Sequence, residues 1–458
     1  MTSQPRTARP AVALAIVLVG MLVAPLDSAV NAAFPAITAA FGLEVAAIQW
    51  IVIAYMLAFS SLIVVSGRLA DLFGYRRVYR AGLALATLAF LGCGLAPAYG
   101  WLLAARVFQG VGIALVLGAG PALALSVYAE SERTRVLAQY SAAFAVGLAL
   151  GPVVGGVLVE HVGWRAVYLA RAPLAFVALV LLRYVPAPAV KSGRVFDVAG
   201  ALLLATWTGA LLLALALPGG LSLGLGVVAL ASFAAFFVRE SRAQEPTIRL
   251  SLFRDAAFAI PNLASVAVHF AGFTVFLLGP YFFVRIAGLS AQAGGMMLAL
   301  GPVGAVVGSV LSARLVRAFR ARRVALVGML LDFAGVAIAA TWDAQTFVPV
   351  IAASLAMQGF GIGIFQVAYT DIVIAALPLE DRGVASSLAN LTRTLGVVGS
   401  ATLMSALFRH AERNALGAGQ EANAAFLSGF DFAFTSAAAG LGVFLLLSLV
   451  RPRVWTAR

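Results

Sequence analysis

The sequence predicts an all-α membrane protein of fourteen transmembrane helices: two six-helix bundles, two extra central helices between them, and both termini in the cytosol. Three observations lead there. The composition is too apolar for a core surrounded by water. Apolar stretches about one membrane thickness long follow one another with little between them. An internal repeat has an offset that requires two additional helices between its copies.

Of 458 residues, 62% are hydrophobic, and the mean hydropathy is +1.01. Soluble domains run near ~45–50% apolar, so the solvent for most of this chain is lipid. Charged residues make up 11%, against a usual ~25%, and they cluster between the apolar stretches. The net charge of +13 is spread over short loops on alternate sides, so no basic face for nucleic acid forms. Thirty of the 31 basic residues are Arg; Lys191 is the exception. Cys93 is the only cysteine, which excludes a disulfide framework and a cysteine metal site. His161, His269 and His410 are scattered, with no H-E-x-x-H pair, and no cofactor is called for. MTSQPRTARP runs straight into a long apolar segment without a small-residue cleavage site, as a first span does and a removable signal does not.

A span needs ~20 mostly apolar residues. Fourteen stretches qualify: 11–34, 48–66, 78–97, 101–125, 137–160, 164–184, 198–217, 221–238, 258–284, 293–316, 323–341, 346–375, 384–408 and 430–450. No interval is long enough for an inserted soluble domain. The basic residues set the orientation. With the N-terminus in the cytosol, that side holds 24 of them and the outer side five: Arg165, Arg171, Arg285, Arg409 and Arg413. Arg106 and Arg393 remain within the membrane.

SGRLADLFGYRRVYRAG, beginning at Ser66, aligns without gaps to SARLVRAFRARRVALVG, beginning at Ser312, with eight of 17 positions identical. The offset of 246 residues fits eight intervening spans, whereas two adjoining six-helix halves need six. The surplus is 198–217 and 221–238. The chain thus divides into an N-terminal bundle (1–184), an inserted helix pair with its loops (185–257) and a C-terminal bundle (258–458).

Within the spans, Asp27 stands out. At ~1.5 Å per residue it lies about ten Å below the outer end of the first helix, and Arg106 lies about 7 Å deep in the fourth. An unpaired carboxylate there costs at least ~2.5 kcal/mol, so Asp27 needs a partner or a wet cavity. Asn31 is one turn on, Pro25 loosens the helix, and Gln109 is nearly a turn from Arg106. A site that takes up a proton or a cation satisfies this placement; so does a static ion pair. Gly147, Gly151 and Gly155 form a smooth stripe that lets another helix approach closely, with Pro152 weakening the helix beside it.

Several of these segments together resemble the major facilitator superfamily, and within it the fourteen-span drug:proton antiporter branch. GRLADLFGYRR (Gly67–Arg77) is similar to the loop motif between helices 2 and 3. LDSAVNAAFP (Leu26–Pro35) resembles the first-helix motif, with Ala29 where threonine is usual. RVFQGVGIA (Arg106–Ala114) resembles the fourth-helix motif, and GLALGPVVGG (Gly147–Gly156) the fifth-helix antiporter motif, followed by WRAVYLARAP (Trp164–Pro173). RGVASSLANLTRTLGVVG (Arg382–Gly399) resembles helix 13, with Thr394 where glutamine is common.

The resemblance implies alternating access by two rocking halves around a central cavity. Asp27, Asn31, Arg106 and Gln109 would serve proton coupling and the substrate cavity. Gly67, Arg68, Asp71, Gly74, Arg76 and Arg77 would form a cytosolic gate, and Gly147, Gly151, Pro152, Gly155 and Gly156 an export-specific hinge. In the second half, Asn262, His269, Gln358, Gln366, Asp371 and Asn390 fall in cavity-lining helices. Asp332 and Arg393 lie at similar depth and are candidates for a pair. For each of these, plain intramembrane hydrogen bonding serves equally well. No G-x-x-x-x-G-K-[ST] surrounds Lys191, so an ion gradient is the expected energy source: one charge crossing 100 mV yields ~2.3 kcal/mol. The expectation is a proton-coupled exporter, in a bacterial inner membrane, of small neutral or monocationic amphiphiles, acting as a monomer. A metabolite importer of the same fold is the alternative. A membrane-embedded enzyme or receptor is remote, since no catalytic cluster or soluble domain is present.

Overall fold

The computed structural model describes residues 10–186, 198–216, 220–242, 250–377, 382–450 and 453–456, and they are overwhelmingly helical. The first apolar stretch is not one rod. It runs as α1 (Pro10–Leu22), a 3-10 turn over Pro25–Ser28, α2 (Ala29–Ala32) and α3 (Phe34–Phe41). Pro25 and Pro35 each open a new piece, because a proline lacks the N–H that would continue the preceding ladder. Next come α4 (Gln49–Phe73), α5 (Tyr75–Gly94), α6 (Tyr99–Leu125) and α7 (Arg133–His161). The sixth stretch is split into α8 (Trp164–Leu169) and α9 (Arg171–Leu181). The later helices are α10 (Val198–Ala216), α11 (Gly220–Arg242), α12 (Ala256–Arg285), α13 (Ala291–Phe319), α14 (Ala321–Ala339), α15 (Val348–Ala376), α16 (Arg382–Gly417), α17 (Ala422–Leu449) and the short α18 (Arg453–Thr456).

Among the described residues, eleven helical stretches are long and apolar enough to cross a membrane. α5, α10 and α14, read from sequence as spans 78–97, 198–217 and 323–341, are helical but not among the eleven. α5 and α14 begin on arginines, Arg76 and Arg77 in one and Arg322 and Arg323 in the other. Helix ends overrun the apolar stretches: α16 continues through Arg409–Gly417 and α17 starts eight residues before Phe430. Hydropathy marks where a helix meets lipid, not where its hydrogen bonding stops. Leu223 and Leu230 are 74% and 72% exposed, a surface that only lipid covers without cost.

α4, α5 and α6 pack with α1 and α9 into one helix set, and α12 to α17 pack into a second. α10 and α11 pair with each other, and α10 leans on α4 and α16. The repeat survives in three dimensions. Ser66 Oγ donates to Ala114 O at 2.8 Å in the first copy, and Ser312 Oγ to Ile364 O at 3.0 Å in the second. The left-handed turn between helices falls at Gly74 (φ +93°) and at its counterpart Arg320 (φ +67°). Arg76 then caps Arg183 O at 3.2 Å, while the matching Arg322 caps Val454 O at 2.9 Å and Ala257 O at 3.0 Å.

The two sets join at the end away from the termini. Glu160 Oε2 accepts the Gln292 N–H at 2.7 Å, Arg413 reaches Glu44 at 3.0 Å, and Tyr281 Oη donates to Phe34 O at 3.4 Å. There the buried core is continuous from one set to the other, Phe34, Ile37, Ile48 and Trp164 packing into one body with Phe282, Phe283 and Trp342. Toward the termini the first set has a core of its own, through Val17, Tyr79, Leu123 and Leu182.

Candidate functional site

The broken first stretch places Asp27 in its 3-10 turn, between α1 and α2. The turn is held by α7. Gly147 approaches Pro25, Gly151 approaches Ser28 and Gly155 approaches Ala29, each so closely that an added Cβ would collide. The stripe read from sequence is therefore the seat of the Asp27 segment. Pro152 has no N–H to offer the carbonyl four residues back, that of Leu148, and Ser28 Oγ donates to it at 3.1 Å. On the other face of α7, Gly156 meets Ala291 and Gly295 of α13, and Gly295 meets the Pro152 carbonyl. One helix thus grips the Asp27 turn on one side and the second helix set on the other.

Asp27 Oδ1 accepts three donors: Arg171 Nη1 at 2.6 Å, Arg106 Nη1 at 2.7 Å and Gln109 Nε2 at 2.8 Å. Both arginine side chains are 3% exposed and that of Asp27 14%. Arg106 is fixed further by Ile51 O at 3.1 Å and Gln109 Oε1 at 3.0 Å, and its guanidinium lies 4.5 Å from the centre of the Tyr55 ring. Arg171 donates through Nε to Val167 O at 3.1 Å and faces Phe90 at 4.6 Å, with Nη2 unpartnered. One carboxylate between two guanidiniums leaves a net positive charge in a low-dielectric interior.

Arg171 corrects the sequence reading, which counted it among the outer-side basic residues. It stands seven residues into the sixth stretch, about 10 Å deep at 1.5 Å per residue, so depth alone placed it beside Asp27. Asn31, expected on the same face, is half-buried and takes no part in the network: Asp27 sits in the 3-10 turn and Asn31 in the α-helical piece that follows it.

The second set is knit separately. Tyr369 Oη donates to Asn262 Oδ1 at 2.8 Å, Asn262 Nδ2 donates to Phe258 O, and Ser265 and Thr392 share a hydrogen bond at 2.9 Å. His269 Nδ1 lies 2.7 Å from Ser265 O, a carbonyl that can only accept, so Nδ1 carries the proton. The suggested Asp332–Arg393 pair does not form: buried Asp332 takes Gln358 Nε2 at 3.2 Å, and its Oδ2 has no partner. Equal depth did not bring the two together, because α14 packs chiefly on α15 and α17 rather than on α16. Gln366 and Asn390 are half-buried, and Asp371 is exposed. The segment Gly67–Arg77, read from sequence as a loop, is helical except at Gly74, because its apolar and basic residues continue α4 and begin α5: Tyr75 Oη donates to Asp71 Oδ1 at 2.6 Å, Gly67 lies against the Gly118 carbonyl, and Arg77 is exposed. The Arg68 side chain lies outside the described residues.

A repeat-built helical protein with an ion triad buried among its spans has the architecture of a membrane carrier. The comparisons agree. Residues 16–401 match the Major Facilitator Superfamily, and the chain belongs to that family. It is a multi-pass membrane protein and a secondary transporter of small substrates, not an enzyme.

The chain is similar to the riboflavin transporter RibZ of Clostridioides difficile, at 27% identity over 87% of this chain and 88% of that one. It is 32% identical to the methylenomycin A resistance protein of Streptomyces coelicolor, over 84% and 83%. It is 31% identical to the multidrug resistance protein Stp of Mycobacterium tuberculosis, over 82% and 72%. In fold it is similar to a bacterial homologue of the human lysosomal transporter Spinster, inward-facing and unoccupied, with a TM-score of 0.72 and 16% identity over 98% of each chain.

Proposed function

We propose that this protein is a proton-coupled exporter of small amphipathic molecules in a bacterial inner membrane, of the fourteen-span drug:proton antiporter branch, with both termini cytosolic. The single observation that carries the reading is the Asp27 oxygen shared by Arg106, Arg171 and Gln109. Contact with guanidiniums favours the ionised carboxylate, and withdrawal from them in an apolar interior favours the neutral acid. Residues 1–184 and 258–458 are the two moving bodies, and 185–257 carries the additional helix pair. Because α7 holds the Asp27 turn on one face and α13 on the other, rocking one body against the other pulls on the turn that carries the carboxylate. Joining of the two sets at the end away from the termini matches a state closed to the outside. The arginines Arg68, Arg76 and Arg77, with Asp71, Gly67 and Gly74, form the gate at the opposite end. The proton gradient supplies the energy, and a single chain is the working unit.

Relatives named for drug resistance support export. The riboflavin transporter supports a second reading, a metabolite carrier of the same fold. A substrate screen in everted vesicles, with a pH-sensitive dye reporting the lumen, separates the two. Export predicts accumulation inside energised everted vesicles with proton efflux from the lumen; accumulation only in right-side-out vesicles contradicts it.

A further inference from the structure

Arg393 lies between two well-defined contacts on α16. Its predecessor Thr392 bonds Ser265 of α12 at 2.9 Å, within the second helix set. Its successor Thr394 accepts from Ser60 of α4 at 3.0 Å, across to the first set. At about 100° per residue, Arg393 is directed between those two bearings, into the seam where the sets face each other. Gly396, almost a turn on, lies against His269 of α12, which fixes the same wall. The side chain is half-buried, and it makes no hydrogen bond or ion pair among the described residues. Tyr55, whose ring carries the Arg106 guanidinium, and His269 are the groups in its electrostatic reach.

An unpaired guanidinium inside a membrane is costly and calls for an anion or water. The described acids do not supply the anion. Asp27 is held by two other arginines, Asp332 is buried against Gln358, and Asp371 is exposed. Asp27 is thus already outweighed by Arg106 and Arg171, and Arg393 adds a third guanidinium with no carboxylate of its own. A cationic molecule entering there meets net repulsion; an anionic one lowers the excess positive charge.

We propose that Arg393 is the anion-contact residue of the transport cavity, and that the substrates are amphiphiles bearing a carboxylate or similar acidic group. This rests on the exporter reading above and reverses the expectation of neutral or monocationic cargo. That expectation left Arg171 outside the membrane. A planar guanidinium holds a carboxylate by two parallel hydrogen bonds, which a Lys ammonium reproduces only as a point charge.

The test uses two dyes on one xanthene scaffold, anionic fluorescein and cationic rhodamine 123, titrated into the purified full-length protein and followed by anisotropy. The expected result is saturable fluorescein binding, weakened at least about tenfold by Arg393→Gln and less by Arg393→Lys, with rhodamine 123 the weaker ligand throughout. Each variant must elute as a monodisperse peak. Fluorescein binding that is absent, or indifferent to both substitutions, overturns the proposal, as does preference for rhodamine 123. Energised everted vesicles that accumulate rhodamine 123 but not fluorescein would overturn this inference while leaving the exporter reading in place. Vesicles that move neither dye while fluorescein binds through Arg393 would uphold the anion site and count against export.

Discussion

Ser28 donates its hydroxyl to the carbonyl of Leu148, the group that Pro152 leaves without a helical partner. A defect in α7 is thus filled by the residue next to Asp27, and the strength of that seat depends on Gly151, where no Cβ fits beside Ser28. Gly151→Val should displace the turn and lower transport in vesicles by at least about tenfold, since a misplacement of about 1 Å can cost roughly a hundredfold. Gly224→Val, in open space, should leave transport unchanged.

The triad should reveal itself through non-additivity. Removing one member of a buried ion pair costs about 3–5 kcal/mol, because the other charge is stranded. Asp27→Asn and Arg171→Gln should each lower the thermal midpoint, and the double variant should lose clearly less than their sum. Thermal denaturation followed by size exclusion measures it; strict additivity would mean the two side chains do not interact.

Gly74 and Arg320 occupy equivalent turns of the repeat, both with positive φ. Gly74→Ala should destabilise by roughly 1–3 kcal/mol, the cost of a side chain in that region. Arg320→Gly relieves the same cost and should raise the thermal midpoint. A fall of the midpoint in Arg320→Gly would show that contacts of the arginine outweigh the backbone.

The Glu44–Arg413 pair spans the two helix sets at the closed end, with side chains 62% and 63% exposed. Such a pair contributes only ~0.2–1 kcal/mol, so Glu44→Ala should hardly move the midpoint. Bridging Glu44→Cys to Arg413→Cys with a short bismaleimide, in a Cys93→Ser background, should arrest transport. Full activity after quantitative cross-linking would mean that this end never opens.

Much of this was legible in the sequence where depth alone decides. Rise per residue put Asp27 and Arg106 at one level, and they meet at 2.7 Å. The same arithmetic applied to Trp164 would have found Arg171, which was lost by treating a basic residue as a loop residue. Direction around a helix was not legible. Asp332 and Arg393 share a depth and do not meet, and Asn31 lost its turn relation to Asp27 where the 3-10 turn gives way to α2. The spacing of Gly147, Gly151 and Gly155 announced a close contact, but only the fold shows that the contact is the Asp27 turn itself.

The central claim is that Asp27 carries the coupled proton, and Asp27→Asn in everted vesicles tests it most directly. Substrate accumulation and lumen pH are followed together, with the Asp27→Asn/Arg171→Gln double variant, which keeps the net charge of the triad, as a control. The account predicts that both variants reach the membrane yet neither drives substrate movement from a proton gradient nor releases protons when substrate is added. Wild-type rates of both in either variant would contradict it.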